Sequence, residues 1–344
     1  MCYAQSVMYR QGLNPFGERR VLAPPAVLPQ AAQKLDPELP LYEDEAWIEV
    51  EKLNLDSASF RQLRAANSGD AEAIAQNIQQ IVAERGKMQN PVTGSGGMLL
   101  GRVQELGPKA PVRFEAGDRI ATLVSLTLTP LKLERVEKVD LESSQVQVRG
   151  QAILFASSPA VLLPQDFSEV AALAIFDVCG AAKWVRRLVR TGEKVLILGS
   201  GKSGALAAAA ATESASEIWL CDSAEPALEK AMGLGLAKNA ILADAQDPLA
   251  FAEALRRSGA PPFDLVVNGC NAPETETASI LAAKPGGKAL FFNMATQFSR
   301  AVLSAEGLGR DVELIMGNGY AEGNADFALN LVRKHDRLRR FFEG

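Results

Sequence analysis

The spacing of apolar residues changes about halfway along the chain. "AWIEVEKLNL" (46–55) alternates apolar and polar positions, the period-two pattern of a strand with one buried face. "DAEAIAQNIQQIVAERG" (70–86) places its apolar residues at helical spacing instead. Asp70 stands where an N-cap accepts backbone N–H groups, and Gly86 stands where a helix stops. "GMLLGRVQEL", "DRIATLVSLTL" and "SQVQVRGQAILF" read as strands separated by turn residues. The first part is therefore expected to be β-rich with one inserted helix, 71–86, after an extended lead-in over 1–40.

Near residue 164 the character changes. "DFSEVAALAIFDVCGAAKWVRRLVR" is a long helical stretch, and "KVLILG" is a short apolar run of buried-strand type. Helical and strand-like segments then alternate through "SGALAAAAATES", "EIWLCD", "EPALEKAMGLG", "NAILAD", "PLAFAEALRRSG", "FDLVVNG", "ETETASILAAK" and "KALFFNM". This βαβ alternation predicts an α/β architecture with a doubly wound parallel sheet. "DFALNLVRKHDRLRRFFE" predicts a closing amphipathic helix whose basic face is solvated.

Composition narrows the possible functions. A chain of 344 residues, 47% of them hydrophobic, is globular and long enough for two domains. A net charge of −5 and a pI near 5.3 argue against a general nucleic-acid binder. No apolar run reaches membrane-spanning length, and "MCYAQSVMYRQG" lacks the apolar core of a signal peptide. A soluble cytoplasmic protein without nucleic-acid or membrane partners is expected. Cys2, Cys179, Cys221 and Cys270 are far apart and show no C-x-x-C spacing. The single histidine, His335, falls in the tail helix and reads as surface. Neither a disulfide framework nor a zinc site is expected.

"VLILGSGKSG" carries the first specific chemistry. Gly199, Gly201 and Gly204 have the G-x-G-x-x-G spacing, directly after a strand and opening a helix. The first glycine permits a tight turn, the second leaves room for a pyrophosphate, and the third lets helix and strand pack closely. Ser200, Lys202 and Ser203 complete a phosphate-binding turn at a helix N-terminus. A Walker A loop is excluded because Leu196 stands where that motif needs glycine. Asp222 ends the next strand, where a carboxylate would hold both ribose hydroxyls and repel a 2′-phosphate. Ser223 and the residues after it supply no Arg or Lys, so NAD is favoured over NADP. Asn268 and Gly269 end the fourth strand of the series, and Asn293 and Ala295 follow the fifth. These positions are expected beside the nicotinamide half of the cofactor.

With these parts in this order, the chain resembles the medium-chain dehydrogenase/reductase superfamily. "FEAGDRIATLV" and "LVRTGEKVLILGSGKSG" carry that resemblance. It implies a GroES-like catalytic domain over 1–163 and 306–344, and a Rossmann domain over 164–305. Zinc-dependent members hold a metal on Cys, His and Cys. The matching positions here fall near Asn54, Ser95 and Asp177, and the four-cysteine structural lobe is missing, so the chain resembles a zinc-free member. A narrower resemblance lies in "VLAPPAVLPQAAQKLD", "LNLDSASFRQL", "IVAERGKMQNPVTGSGGM", "ATLVSLTLTPL" and "FFNMATQFSRAVLSAEGLGRDVELIMGNGY". These blocks are similar to the family of L-erythro-3,5-diaminohexanoate dehydrogenases. The resemblance implies NAD(P)-dependent oxidative deamination to 5-amino-3-oxohexanoate and ammonia in lysine fermentation, by a homo-oligomer acting on a small amino acid.

Such chemistry requires a neutral amine at the reacting carbon and acceptors for a second ammonium. Asp177 interrupts the apolar helix "ALAIFDVCG" and is the first candidate for the base. Asp56 and Ser57 share the "LNLDSAS" turn, where local capping is the competing reading. Asn54 and Ser95 are candidates to orient substrate or water, and Glu306 to meet an ammonium. Lys87, more than Arg85 at the helix end, is the candidate for the substrate carboxylate. Two other readings remain open here: a zinc-free quinone or enoyl reductase, and a non-catalytic NAD-binding protein.

Overall fold

The structure, a computed structural model, describes residues 9–111, 113–123 and 125–344; Cys2 and the start of the N-terminal stretch lie outside them. The chain divides into two units, Met1–Leu173 and Ala174–Gly344.

In the first unit a short pair, β1 (Val21–Ala23) and β2 (Lys34–Leu35), precedes a six-stranded antiparallel sheet. Its strands are β3 (Ala46–Asn54), β4 (Met98–Leu106), β5 (Arg119–Thr122), β6 (Leu131–Val139), β7 (Gln145–Leu154) and β8 (Ala160–Leu162). Their order is β6-β7-β3-β4-β5-β8. The alternation read in β3 holds at Ile48 and Val50, both buried; an irregularity between Val50 and Lys52 then shifts the phase, and Leu53 is the next buried apolar position. Two helices lie between β3 and β4, α1 (Ser57–Ala66) and α2 (Ala71–Arg85), where the pattern predicted one. Asp70 caps α2 and Gly86 ends it at φ 62°, as expected. Ile74, Ile78 and Val82 on α2 are buried, and each fully buried aliphatic side chain contributes roughly 1.5–3 kcal/mol. β6 is absent from the predicted strands. It is a charged edge strand whose outward positions carry Lys132, Glu134 and Arg135.

The lead-in has little regular structure but is firmly tied. Arg20 and Glu45, both fully buried, pair at 2.6 Å, and Arg20 also donates to the carbonyls of Glu38 and Pro40. A buried pair of this kind tolerates no loss of one partner, because the remaining charge is left without solvent.

Helix α3 (Glu169–Leu188) leads into the second unit. There β9 (Lys194–Leu198), α4 (Lys202–Ala211), β10 (Glu217–Asp222), α5 (Glu225–Met232), β11 (Asn239–Leu242), α6 (Pro248–Ser258), β12 (Phe263–Asn268), α7 (Glu276–Ala282) and β13 (Ala283–Phe291) alternate as read. All five strands are parallel, and β14 (Val312–Met316) joins β13 as a sixth. The order β11-β10-β9-β12-β13-β14 reverses direction at β9 and β12, which places a ligand crevice at the carboxyl ends of those two strands.

The segment after α8 (Phe298–Gly307) differs from expectation. The sequence assigned 306–344 to the first domain, but β14 extends the parallel sheet and α9 (Asn324–Lys334) packs on α4. Both contacts lie within the second unit. The tail is also two helices, α9 and α10 (Asp336–Glu343), with half-buried His335 at the break.

Candidate functional site

The fingerprint turn behaves as its spacing demands. Gly199 adopts φ 90°, a left-handed conformation that favours glycine. A Cβ on Gly204 would lie 2.0 Å from the Gly199 carbonyl oxygen, so helix and turn touch there only because Gly204 lacks a side chain. Gly201 has open space where its Cβ would be. It also starts α4 without any side-chain cap, leaving first-turn N–H groups without a capping side chain, as an anion-binding helix start requires. Lys202 is exposed and Ser203 half-buried in that first turn.

Asp222 stands on the pocket wall. Its Oδ2 accepts from the Ser200 N–H at 2.8 Å and the Ser200 hydroxyl at 2.7 Å, and its Oδ1 from the Ala224 N–H at 3.0 Å. Burial pushes this carboxyl upward, but those donors outweigh it and hold the group below the usual aspartate range. It is therefore an anion at neutral pH. The pocket, about 270 Å³, is also lined by exposed Ser223, Gly269, Asp244, Gln246, Cys270 and Asn271. Among the described residues no Lys or Arg lines it. A dinucleotide fits this set of residues: glycine clearance, uncapped helix N–H groups and a ribose-level carboxylate. Asp244 and Gln246 were not found from the sequence. Their signal was position alone, since they follow the strand neighbouring the one that ends in Asp222.

The three cysteines among the described residues are held as thiols. Burial, helped by neighbouring carboxylates, pushes the Cys179, Cys221 and Cys270 thiols up to about 12.

Asn268 and Asn293 sit where expected, but their side chains are used inside the protein. Asn268 is fully buried and donates to the Thr275 and Ser279 hydroxyls at 2.8 and 2.9 Å. Its Oδ1 accepts from the Cys270 N–H and from Asn293 Nδ2, both at 3.1 Å. Asn293 Oδ1 accepts from the N–H groups of Ala295 and Thr296, each at 2.9 Å. The polar atoms of both asparagines thus shape the loops at the positions expected beside the nicotinamide half of the cofactor.

Asp177 is the half-exposed residue in the otherwise buried run Ala171–Ala182 of α3. Its place follows from Gly180, one turn on. A Cβ at Gly180 would lie 2.5 Å from the Gly319 carbonyl oxygen and 3.1 Å from the Phe292 ring. The Trp184 indole donates to the Asn318 carbonyl at 3.0 Å. The α3 turn carrying Asp177 thus lies beside the segments that leave β13 and β14 at their carboxyl ends. That "GNGY" segment, 317–320, is a neighbour the sequence did not reveal. Glu306 is exposed on α8.

The remaining candidates belong to the first unit. Asp56 caps α1: its Oδ1 accepts from Ala58 and Ser59 N–H at 3.1 and 3.0 Å. Its Oδ2, by contrast, is buried without a hydrogen-bond partner. Asn54 is buried at the end of β3, and Ser57 is exposed. The stretch 90–97 folds directly onto this turn, because a Cβ on Gly97 would lie 2.1 Å from the Asn54 carbonyl oxygen and 2.9 Å from the Asp56 nitrogen. Half-buried Ser95 is on the same loop, which Thr93 ties to Ser59 through a 2.7 Å hydroxyl pair. Asn54, Asp56 and Ser95 are thus on adjoining segments.

Lys87 is a correction. It is fully buried, and its ammonium donates to the carbonyls of Pro29 and Thr127 at 2.9 and 2.7 Å. Burial, with Arg85 nearby, lowers it to about 8. It anchors the lead-in and is not presented to a carboxylate ligand. Arg85 ends α2 and bonds Gln89. Among the described residues no group of three or more His, Cys, Asp or Glu could hold a metal ion.

Comparisons with known proteins agree with this geometry. Residues 19–164 match the family model of the L-erythro-3,5-diaminohexanoate dehydrogenase N-terminal domain. The chain is 40% identical over 336 residues to the L-erythro-3,5-diaminohexanoate dehydrogenase of Acetoanaerobium sticklandii, covering 95% of this chain and 97% of that one. It is 42% identical over 334 residues to the enzyme of the same name from Fusobacterium nucleatum, with the same coverage, 95% and 97%. Among solved structures, CurK enoyl reductase aligns with a TM-score of 0.57 at 18% identity, over 90% of this chain and 84% of that one. Galactitol-1-phosphate dehydrogenase from Escherichia coli aligns with a TM-score of 0.55 at 16% identity, over 88% and 85%. At those identities the solved structures establish the fold alone.

Proposed function

Because the chain belongs to the L-erythro-3,5-diaminohexanoate dehydrogenase family, we propose that it oxidises the 3-amino carbon of 3,5-diaminohexanoate with NAD. In this reaction substrate, NAD and water give 5-amino-3-oxohexanoate, ammonium, NADH and a proton. The chain is an oxidoreductase of the medium-chain dehydrogenase/reductase fold, and it uses a nicotinamide cofactor. When bound, that cofactor accepts the hydride. The choice of NAD rests on Asp222, an anion at the ribose level of a pocket that no Lys or Arg lines among the described residues.

The chain's own residues have three tasks. The first is to take a proton from the reacting ammonium, since only the neutral amine can push out a hydride. We assign this to Asp177. The second is to receive a cationic group, for which the buried, unpartnered Oδ2 of Asp56 is suited as an acceptor-only atom. The third is to orient substrate or water, which we assign to Ser57, Asn54 and Ser95. Carboxylates rather than a metal dication suit a substrate that already carries two ammonium groups. We carry forward a cytoplasmic homo-oligomer as part of this reading.

The observation that carries the proposal is the relationship over 95% of the chain, combined with an intact fingerprint and with Asn54, Ser95 and Asp177 near the positions of the metal ligands. A steady-state assay with 3,5-diaminohexanoate and both cofactors tests it. Turnover with NAD at least tenfold more efficient than with NADP is expected. Asp177→Asn should lower kcat by about 100-fold or more, within the range of general acid–base catalysis. Wild-type kcat in that variant would remove Asp177 from the mechanism, and a wild-type enzyme active only on quinones or enoyl substrates would overturn the whole reading.

A further inference from the structure

Asn268 is a buried side chain whose four hydrogen-bonding positions are all used within the protein. Its two donor hydrogens go to Thr275 and Ser279, and its oxygen accepts from Cys270 and Asn293. The partners lie on two different segments. Cys270 and Thr275 belong to the loop after β12, which lines the dinucleotide pocket. Asn293 opens the loop after β13 and shapes it by accepting from Ala295, Thr296 and the Thr296 hydroxyl. That second loop is held at its far end too, where fully buried Glu276 accepts the Gln297 N–H at 2.7 Å. The main chain repeats the link, because Phe292 N–H donates to the Asn268 carbonyl at 2.8 Å.

We infer that Asn268 is a positioning residue for hydride transfer: without touching the cofactor, it locks the loops after β12 and β13 together at the carboxyl ends of their strands. The inference rests on the dehydrogenase reading above. Three physical points support it. An amide is the one side chain of this size that offers two donors and two acceptor sites at once. A buried network with every position satisfied favours one arrangement, because any slip leaves a buried polar group unpaired. Hydride transfer in turn needs its reacting atoms held closely, and a misplacement of about 1 Å is enough to cost roughly 100-fold. A leucine in this place would fill the volume but leave only the main-chain link between the two loops. An aspartate would keep the shape and the acceptors but lose both donors.

The test is Asn268→Asp in the full-length protein, compared with wild type in three measurements. NADH affinity is taken from calorimetry, the nicotinamide environment from the emission of bound NADH, and turnover from kcat with 3,5-diaminohexanoate. NADH should bind within about threefold of wild type, since the fingerprint turn and Asp222 are untouched. The bound emission should shift toward that of free NADH. The kcat should fall by about 10- to 100-fold with KM changed less than threefold. Wild-type emission together with wild-type kcat would overturn the inference. If Asn268→Asp does not fold, Ser279→Ala removes one partner only; an intermediate loss of emission shift and kcat supports the lock, and wild-type values for both overturn it. The emission readout does not depend on the substrate, so an enzyme inactive on 3,5-diaminohexanoate would sink the functional reading while leaving the positioning role to be judged on its own.

Discussion

Gly97 in the first unit and Gly201 in the second sit in similar glycine runs, "TGSGG" and "GSGKSG", yet their surroundings are opposite. A side chain at Gly97 would meet the Asn54 carbonyl oxygen at 2.1 Å, and φ is 108°. A side chain at Gly201 would meet nothing within 4 Å. The first glycine is filled by protein, while the second is left open. One lets a loop rest on the turn that carries Asp56; the other leaves open space at the start of α4, where we propose that a pyrophosphate binds. A glycine-rich stretch therefore has no fixed meaning until one knows what its missing side chain would strike.

The largest test of that contrast is Gly201→Val. It should fold with a wild-type melting temperature and lose NADH affinity by at least about 100-fold in calorimetry, because the side chain enters ligand space. Wild-type affinity would mean the dinucleotide lies elsewhere. Gly97→Ala should behave in the reverse way. It strains a left-handed position and collides with backbone, so a melting temperature lower by about 5 °C or more is expected in calorimetric scans, with NADH affinity kept. Loss of NADH affinity without a change in melting would break the distinction between the two runs.

A smaller effect separates two roles at Asp56. Asparagine caps a helix about as well as aspartate but cannot hold a cation by charge. Asp56→Asn should keep stability and raise KM for 3,5-diaminohexanoate about tenfold. Asp56→Ala should show the same KM and lose about 1 kcal/mol in denaturant melts as well. Equal KM in all three proteins would leave Asp56 as a cap alone.

The smallest effect concerns Lys87, and it is a pH slope. Its folded value of about 8 lies below the ordinary 10.5, so between those limits the unfolded chain binds more protons than the folded one. Stability from this group is therefore lowest below pH 8 and rises as pH climbs toward 10.5. Lys87→Met should flatten that rise in melts taken across the window. An unchanged slope would assign it to another group.

Much of the candidate site could be read from the sequence, and the rest was hidden for a consistent reason. The fingerprint, Asp222 and the Asp70 cap are local devices, each satisfied within its own turn or between adjacent strands. Asp177 stood out because a charged residue interrupts an apolar helix. Lys87 was misread because its partners are remote, and the tie from Asn268 to Asn293 was hidden for the same reason. Pro29 and Thr127 lie 58 and 40 residues from Lys87, and Asn293 lies 25 from Asn268. The same distance problem hid Gly180 against Gly319, and it placed the tail with the wrong domain.

By itself the sequence determined the alternation of elements, the parallel sheet and the glycine turn that opens α4. These follow from hydrophobic period, from φ requirements and from capping, all of which act between near neighbours. Only the tertiary structure decided which polar groups are spent and which are free. It sealed Lys87 and Asn268 inside, left Asp56 Oδ2 buried and unpaired, and added β14 to the parallel sheet. Desolvation and long-range pairing set those outcomes, because a buried polar atom takes whatever partner the fold brings to it, at any distance along the chain.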